Sequence, residues 1–155
     1  MSMTHETRSE LDRSTHTITF RRSVAASRER VFDAWTKPEQ VTVWWDPTGS
    51  PLAECMIDAR PGGAFRFVNQ GHHGPPFAGV YQVVERPAKL VFDALGAVGT
   101  VLLETRGAET LVTVTIRCAS AEHFEQFVKL GVDTGTNQTL DNLARYVGAA
   151  SDAPS

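Results

Sequence analysis

Residues 121–147 read AEHFEQFVKLGVDTGTNQTLDNLARYV, and the fold turns on this stretch. Phe124, Phe127, Val128, Gly131, Val132, Leu140, Leu143 and Val147 recur at helical spacing and share one broad face. Ser120 is placed to cap the first turn, because its hydroxyl can accept from an orphan N–H there. Glu122 and Glu125 sit where the helix dipole favours negative charge, and Arg145 lies near the opposite end. Gly148 suits the position just past a helix. A continuous helix over this span is about 40 Å long.

The middle of the stretch argues against continuity. Residues 131–139 hold two glycines, Asp133, Asn137 and four β-branched side chains. Each glycine costs roughly 1 kcal/mol relative to alanine in a helix interior. Packing against another layer has to hold this segment helical, or the helix bends. Poor local propensity in a buried place marks close packing or function.

Working outward, the preceding chain supplies that other layer. Residues 16–24 alternate, with Ile18, Phe20 and Arg22 on one face. Ser27 can cap a helix carrying Val31, Phe32 and Trp35. Pro38 opens a second short helix bearing Val41, Trp44 and Trp45, and Thr36 with Glu39 has capping-box spacing. Strand signals then follow in close succession over residues 55–59, around Phe65 and Phe67, and over 77–84, 89–94, 98–106 and 110–117. Phe65 and Phe67 share a face, as do Phe77, Gly79, Tyr81 and Val83. Arg60-Pro61-Gly62-Gly63 has type II turn chemistry. Short loops between consecutive strands imply antiparallel pairing, because parallel strands need long crossovers. The expected fold is α+β. A curved antiparallel sheet of six or seven strands surrounds a long C-terminal helix, and two short helices follow the first strand. Residues 16–147 form the domain, flanked by tails expected to be disordered at 1–15 and 148–155.

Bulk composition narrows the function classes. The 155-residue chain carries a formal charge of -3, with no basic block to make the positive field that nucleic-acid binding needs. No apolar run approaches the roughly 20 residues of a membrane span, and residues 1–15 have no apolar core of a secretory signal. A cytoplasmic location is the expectation. Cys55 and Cys118 lie in apolar runs and read as reduced, buried thiols. No pattern calls for a metal or cofactor: His72 and His73 are adjacent in a Gly/Pro loop, but no nearby spacing completes the three or four ligands of a metal site.

At the level of motifs, the chain resembles a known family. The stretches are Val31-Phe32-Asp33-Ala34-Trp35-Thr36-Lys37-Pro38-Glu39, Trp44-Trp45, Arg60-Pro61-Gly62-Gly63 and Gly79-Val80-Tyr81-Gln82-Val83-Val84. Leu90-Val91-Phe92 and Gly135-Thr136-Asn137-Gln138-Thr139-Leu140-Asp141-Asn142-Leu143 follow. In order and spacing these are similar to the AHSA1-like proteins, relatives of the C-terminal domain of the activator of Hsp90 ATPase. That family lies within the START/Bet v 1 helix-grip superfamily (SRPBCC). The resemblance implies a cavity between the sheet and the last helix that takes a small hydrophobic or amphipathic molecule. The expected lining is Trp44, Phe65, Phe67, Tyr81, Phe92, Val128, Val132, Gly135, Thr136 and Thr139. Where this chain has Thr136 the family commonly has Trp, so the cavity is expected to be larger and to gain a hydroxyl.

Two other readings stand beside binding. An enzyme of polyketide cyclase or hydrolase type needs an acid–base pair within reach of the substrate. The candidates are Tyr81, Asp93, Glu104, His72 and His73, and nothing in their spacing selects any of them. Hsp90 association is implied by the family label, but only a 15-residue segment precedes the first strand here, where the full co-chaperone has a further domain. It ranks third. A homodimer through an edge strand or an exposed tryptophan is a further expectation.

Overall fold

The computed structural model describes residues 7–46, 48, 50–70 and 77–152, the last four as backbone only. Eight antiparallel strands form one sheet. In chain order they are β1 (Arg8–Asp12), β2 (Thr17–Val24), β3 (Leu52–Ile57), β4 (Ala64–Asn69), β5 (Phe77–Glu85), β6 (Lys89–Ala94), β7 (Ala97–Arg106) and β8 (Glu109–Arg117). Their spatial order is β1-β2-β8-β7-β6-β5-β4-β3. Helices α1 (Arg28–Thr36) and α2 (Pro38–Trp44) follow β2, and α3 (Ala121–Lys129) and α4 (Val132–Asp152) close the chain. No helix among the described residues is long and apolar enough to cross a membrane.

The inward face of the sheet carries the alternating apolar residues that define the strands. Ile18 and Phe20 of β2, Val101 and Leu103 of β7, and Val112 of β8 are buried against Leu140, Leu143 and Val147 of α4. Removing a side chain of this size from water contributes about 1.5–3 kcal/mol. Turn chemistry fixes the hairpins. Gly62 takes φ +84°, and Gly63 N–H donates to the Arg60 carbonyl at 2.8 Å, as a type II turn requires.

Several expectations need correction. An eighth strand, β1, occupies Arg8–Asp12, inside the segment expected to be a tail. It pairs with β2 through its backbone and buries little, only Leu11 being half-buried. Helix α4 runs through Gly148 to Asp152, so Gly148 does not end it. The Thr36–Glu39 capping box does not form: the N-cap of α2 is Lys37, without a side-chain bond, and Thr36 Oγ1 donates to the Phe32 carbonyl at 2.9 Å. In β5 the register shifts between Tyr81 and Val83, so Val84, not Val83, packs against the core.

The C-terminal segment is two helices. Ser120 caps α3 as expected, accepting from His123 N–H at 3.1 Å. The break falls at Leu130 and Gly131. Gly131 takes φ +79°, which costs a glycine little and an L side chain more. Its N–H donates to the Val128 carbonyl at 3.1 Å, and its own carbonyl accepts Gly135 N–H at 2.9 Å. One residue thus closes α3 and opens α4. Gly131-x-x-x-Gly135 is therefore a helix junction and not a stripe within one helix.

Candidate functional site

Thr139 and Asn142 set the position of α4. The last carbonyls of a helix lack intrahelical partners and need donors from elsewhere. At the end of α2 those donors come from α4. Thr139 Oγ1 donates to the Trp45 carbonyl at 3.0 Å, and Asn142 Nδ2 donates to the Asp46 carbonyl at 3.0 Å and the Trp44 carbonyl at 3.4 Å. Between them in sequence, Asp141 accepts from Arg22 Nη1 at 2.6 Å, joining α4 to β2. The motif of residues 139–142 is thus a clamp that holds α4 to α2 and to the sheet.

Beyond the clamp, toward the α3–α4 junction, the layers separate around a cavity of about 330 Å³. Its sheet wall is Phe92 and Ala94 of β6, Ala97 and Gly99 of β7, and Val114 and Ile116 of β8. Phe77 of β5 and Asn69 of β4 complete that side. The helical side is Phe127 of α3, Leu130 between the helices, and Val132, Gly135, Thr136, Thr139 and Leu140 of α4, with Trp35 and Trp45 at one end. Leu95 and Leu130 are exposed, 52% and 79%, and give the site an apolar rim. One pairing shapes the sheet wall. Gly99 lies opposite Phe92 in register, and a Cβ at Gly99 would stand 2.5 Å from the Phe92 ring. The missing side chain is what lets that ring lie flat across β7.

An aromatic cluster backs the cavity. Phe65 stacks against Phe67, Phe77, Tyr81 and Phe92 with ring centroids 5.1–5.5 Å apart. Trp45 sits 4.8 Å from Phe67 and 5.1 Å from Phe77. Only a gap of about 20 Å³ remains within this cluster. Such offset and edge-to-face pairs add rigidity as well as burial.

The expected lining therefore divides. Phe92, Val132, Gly135, Thr136 and Thr139 line the cavity. Trp44, Phe65, Phe67 and Tyr81 do not: they belong to the aromatic cluster behind it and border only the small gap. Val128 borders neither and packs against the core edge. Trp44 is buried, its Nε1 donating to the Ala34 carbonyl at 3.0 Å, while its neighbour Trp45 turns to the cavity. Neither is exposed, which corrects the expectation of an exposed tryptophan surface. Trp35, Trp45, Phe77 and the small residues Ala94, Ala97 and Gly99 were missed. The strand alternation that places Ala97 and Gly99 on one face was the available signal for the last of these.

The catalytic candidates do not converge. Tyr81 is buried among rings, and burial pushes its phenol well above the ordinary range. Asp93 is exposed and accepts from Gln82 on the outer face. Glu104 is exposed and pairs with Arg106 at 3.5 Å. His72 and His73 lie outside the described residues. Among the described residues that line the cavity, none is ionisable. No group of three or more His, Cys, Asp or Glu with metal-binding geometry occurs among the described residues.

The family model for "Activator of Hsp90 ATPase homolog 1-like protein" matches residues 25–148. The chain belongs to this family. The AHSA1-like match begins near the end of β2 and takes in both short helices, the whole meander and nearly all of α4. Solved structures share the fold. A protein from Rhodobacter sphaeroides superposes with a TM-score of 0.83 at 22% identity, covering 93% of this chain and 99% of that one. A protein from Mycobacterium smegmatis gives 0.78 at 21%, covering 92% and 98%. An AHSA1-like protein from Aeromonas hydrophila gives 0.74 at 24%, covering 90% and 97%. No curated protein matches in sequence.

Proposed function

We propose that this AHSA1-like protein binds a small hydrophobic or amphipathic molecule in the cavity between its sheet and α4. The observation that carries this reading is the cavity of about 330 Å³ with its almost wholly apolar lining. Well-packed interiors leave few voids larger than a water molecule. A void of this size, beside an aromatic cluster packed nearly without gaps, is space kept open by Gly99, Gly135 and Thr136. Small-molecule sites run from roughly 300 Å³ upward and combine apolar walls with a few polar groups. The START-type fold to which this family belongs commonly binds hydrophobic ligands, which agrees with that lining. The absence of ionisable groups from the described lining favours binding over acid–base catalysis.

Native mass spectrometry of freshly purified full-length protein tests the reading. The expected result is a retained small-molecule adduct, lost on denaturation. Repeated preparations that carry only solvent, together with failure to take up any apolar probe, would overturn it.

A further inference from the structure

The mouth of the cavity lies between two exposed leucines on separate elements, Leu95 in the turn from β6 to β7 and Leu130 at the end of α3. Between that turn and that helix sits His123. Its ring meets Phe127, four residues on and part of the cavity wall, edge-to-face at 4.5 Å. On the other side it lies over Gly96, where a Cβ would stand 3.4 Å from His123 Cε1. Leu95 and Gly96 take φ +54° and +79°, the left-handed backbone that a two-residue hairpin turn favours.

Hydrogen bonds fix the ring. Ser120 Oγ accepts from His123 N–H at 3.1 Å, and His123 Nδ1 accepts from Ala119 N–H, also at 3.1 Å. The pair is a reciprocal cap on the first turn of α3. In the ordinary form of this cap the returning side chain is Glu or Gln, whose oxygen accepts across the neutral range. An imidazole accepts only while it is neutral, because both nitrogens of an imidazolium are donors. Histidine is also the side chain whose charge change ordinarily falls between pH 5 and 8. Protonation here takes the acceptor from Ala119 N–H and puts a positive charge at the positive end of the α3 dipole.

The surrounding charges are these. On α3 itself, Glu122 adjoins His123, Glu125 is engaged by Arg13 of the β1–β2 turn at 2.8 Å, and Lys129 lies in the last turn. His16, also before β2, accepts Cys118 N–H through its carbonyl at 2.8 Å. Arg117 ends β8 and is exposed, and Asp93 of β6 is engaged by Gln82. The residues of the β6–β7 turn, Leu95 and Gly96, are uncharged.

Resting on the binding reading above, we propose that His123 is a pH-sensitive latch on the cavity mouth. Neutral, it pins α3 to the β6–β7 turn and keeps Leu95 and Leu130 close. Protonated, it lets go of Ala119, and its hold on Phe127 and Gly96 loosens with it. Phe124, buried in the core, keeps α3 docked, so what moves is the face that bears Phe127 and Leu130. The left-handed junction at Gly131 separates that movement from the clamp at residues 139–142. His123 is a positioning residue: it shapes the mouth and lies outside the lining. The ligand exchanges faster in acid than at neutral pH.

Dissociation of the neutral dye 6-propionyl-2-(dimethylamino)naphthalene from the purified full-length protein, followed by stopped-flow fluorescence at pH 8 and pH 5, tests the latch. The expected rate at pH 5 is about three- to tenfold higher, the range for one net hydrogen bond lost. His123→Gln retains an acceptor that does not titrate, and its rate is expected to be the same at both pH values. That result separates the latch from the other histidines, which the variant leaves in place.

If the dye does not bind at pH 8, the binding reading itself falls. If it binds and leaves the unaltered protein equally fast at both pH values, the cavity stands and the latch falls. Equal acceleration in His123→Gln also overturns the latch. Should His123→Gln not fold, ¹H–¹⁵N spectra of the unaltered protein decide. The Ala119 amide is expected to move upfield in step with protonation of the His123 ring, and an amide that stays in place while the ring titrates overturns the proposal.

Discussion

Asn142, in the last helix, donates its side-chain amide to the backbone carbonyl of Asp46 at 3.0 Å, across nearly a hundred residues of chain. This bond and its companion from Thr139 to the Trp45 carbonyl fasten the floor of the cavity to its roof. Asn142→Ala leaves buried carbonyls without donors, which costs about 1–3 kcal/mol. Thr139→Val, nearly isosteric, should cost about 1–2 kcal/mol by the same mechanism. Urea unfolding followed by tryptophan fluorescence should show lower midpoints with an unchanged slope. Midpoints equal to that of the unaltered protein would show that the clamp adds nothing.

Gly131→Ala tests the helix junction. A Cβ at this position meets nothing within 4 Å, so any penalty comes from φ +79° and not from a clash. The expected loss is about 1 kcal/mol. Gly131→Asn should lose less, because asparagine tolerates the left-handed region better than alanine does. Equal stability of all three proteins in thermal melts would contradict a left-handed junction.

Cavity volume is governed by two small residues on opposite walls. Thr136→Trp should fill the space beside Val132 and Gly135 and weaken uptake of a neutral naphthalene dye by tenfold or more. Gly99→Ala should drive the Phe92 ring off β7 and into the same space, again weakening uptake. Dye titration with a parallel melt distinguishes lost volume from lost fold. Unchanged uptake by Thr136→Trp would mean that position 136 does not shape the site.

Cys55 gives a pH dependence with a definite sign. Burial, and secondarily the nearby Glu39 carboxylate, push its thiol from 9.0 up to about 11. The native chain therefore holds this proton more tightly than the unfolded chain does. Stability should be unaffected below pH 9 and should fall as pH rises from 9 toward 11. In the same way, iodoacetamide at pH 8 should label Cys55 far more slowly in the native protein than in urea, since the thiolate is the reactive form. A native labelling rate equal to the unfolded one, or stability rising over that pH window, would refute this.

Much of the fold was legible because its signals are local. Ser27 and Ser120 cap the helices they precede, Gly62 turns its hairpin, and alternation in residues 16–24 places Ile18 and Phe20 inward. What stayed hidden depends on partners. Strand β1 has almost no apolar face, so only the backbone edge of β2 reveals it. The shift from Val83 to Val84 exists only relative to β6. At the site, adjacency in sequence gave no means of telling Trp44 from Trp45, because the choice is made by the Ala34 carbonyl that captures one indole. Trp35 lies on the expected first helix and is buried. What marks it out is that its buried Nε1 finds no partner among the described residues, and no pattern of residue types displays that.

The order of strands in the sheet also bears on how the chain reaches its native state. From β3 to β8 every neighbour in space is the next strand in sequence, so that region can zip up hairpin by hairpin. The seam between β2 and β8 is different: it aligns Thr17 with Arg117 and Val24 with Thr110. Closing so long a loop carries an entropic penalty that its contacts return only once it is shut. During synthesis β2 emerges early and must wait, its edge unsatisfied, until most of the protein has left the ribosome. Helices α3 and α4 follow β8 in turn, so the step that completes the sheet is also the one that delivers the lid to the cavity.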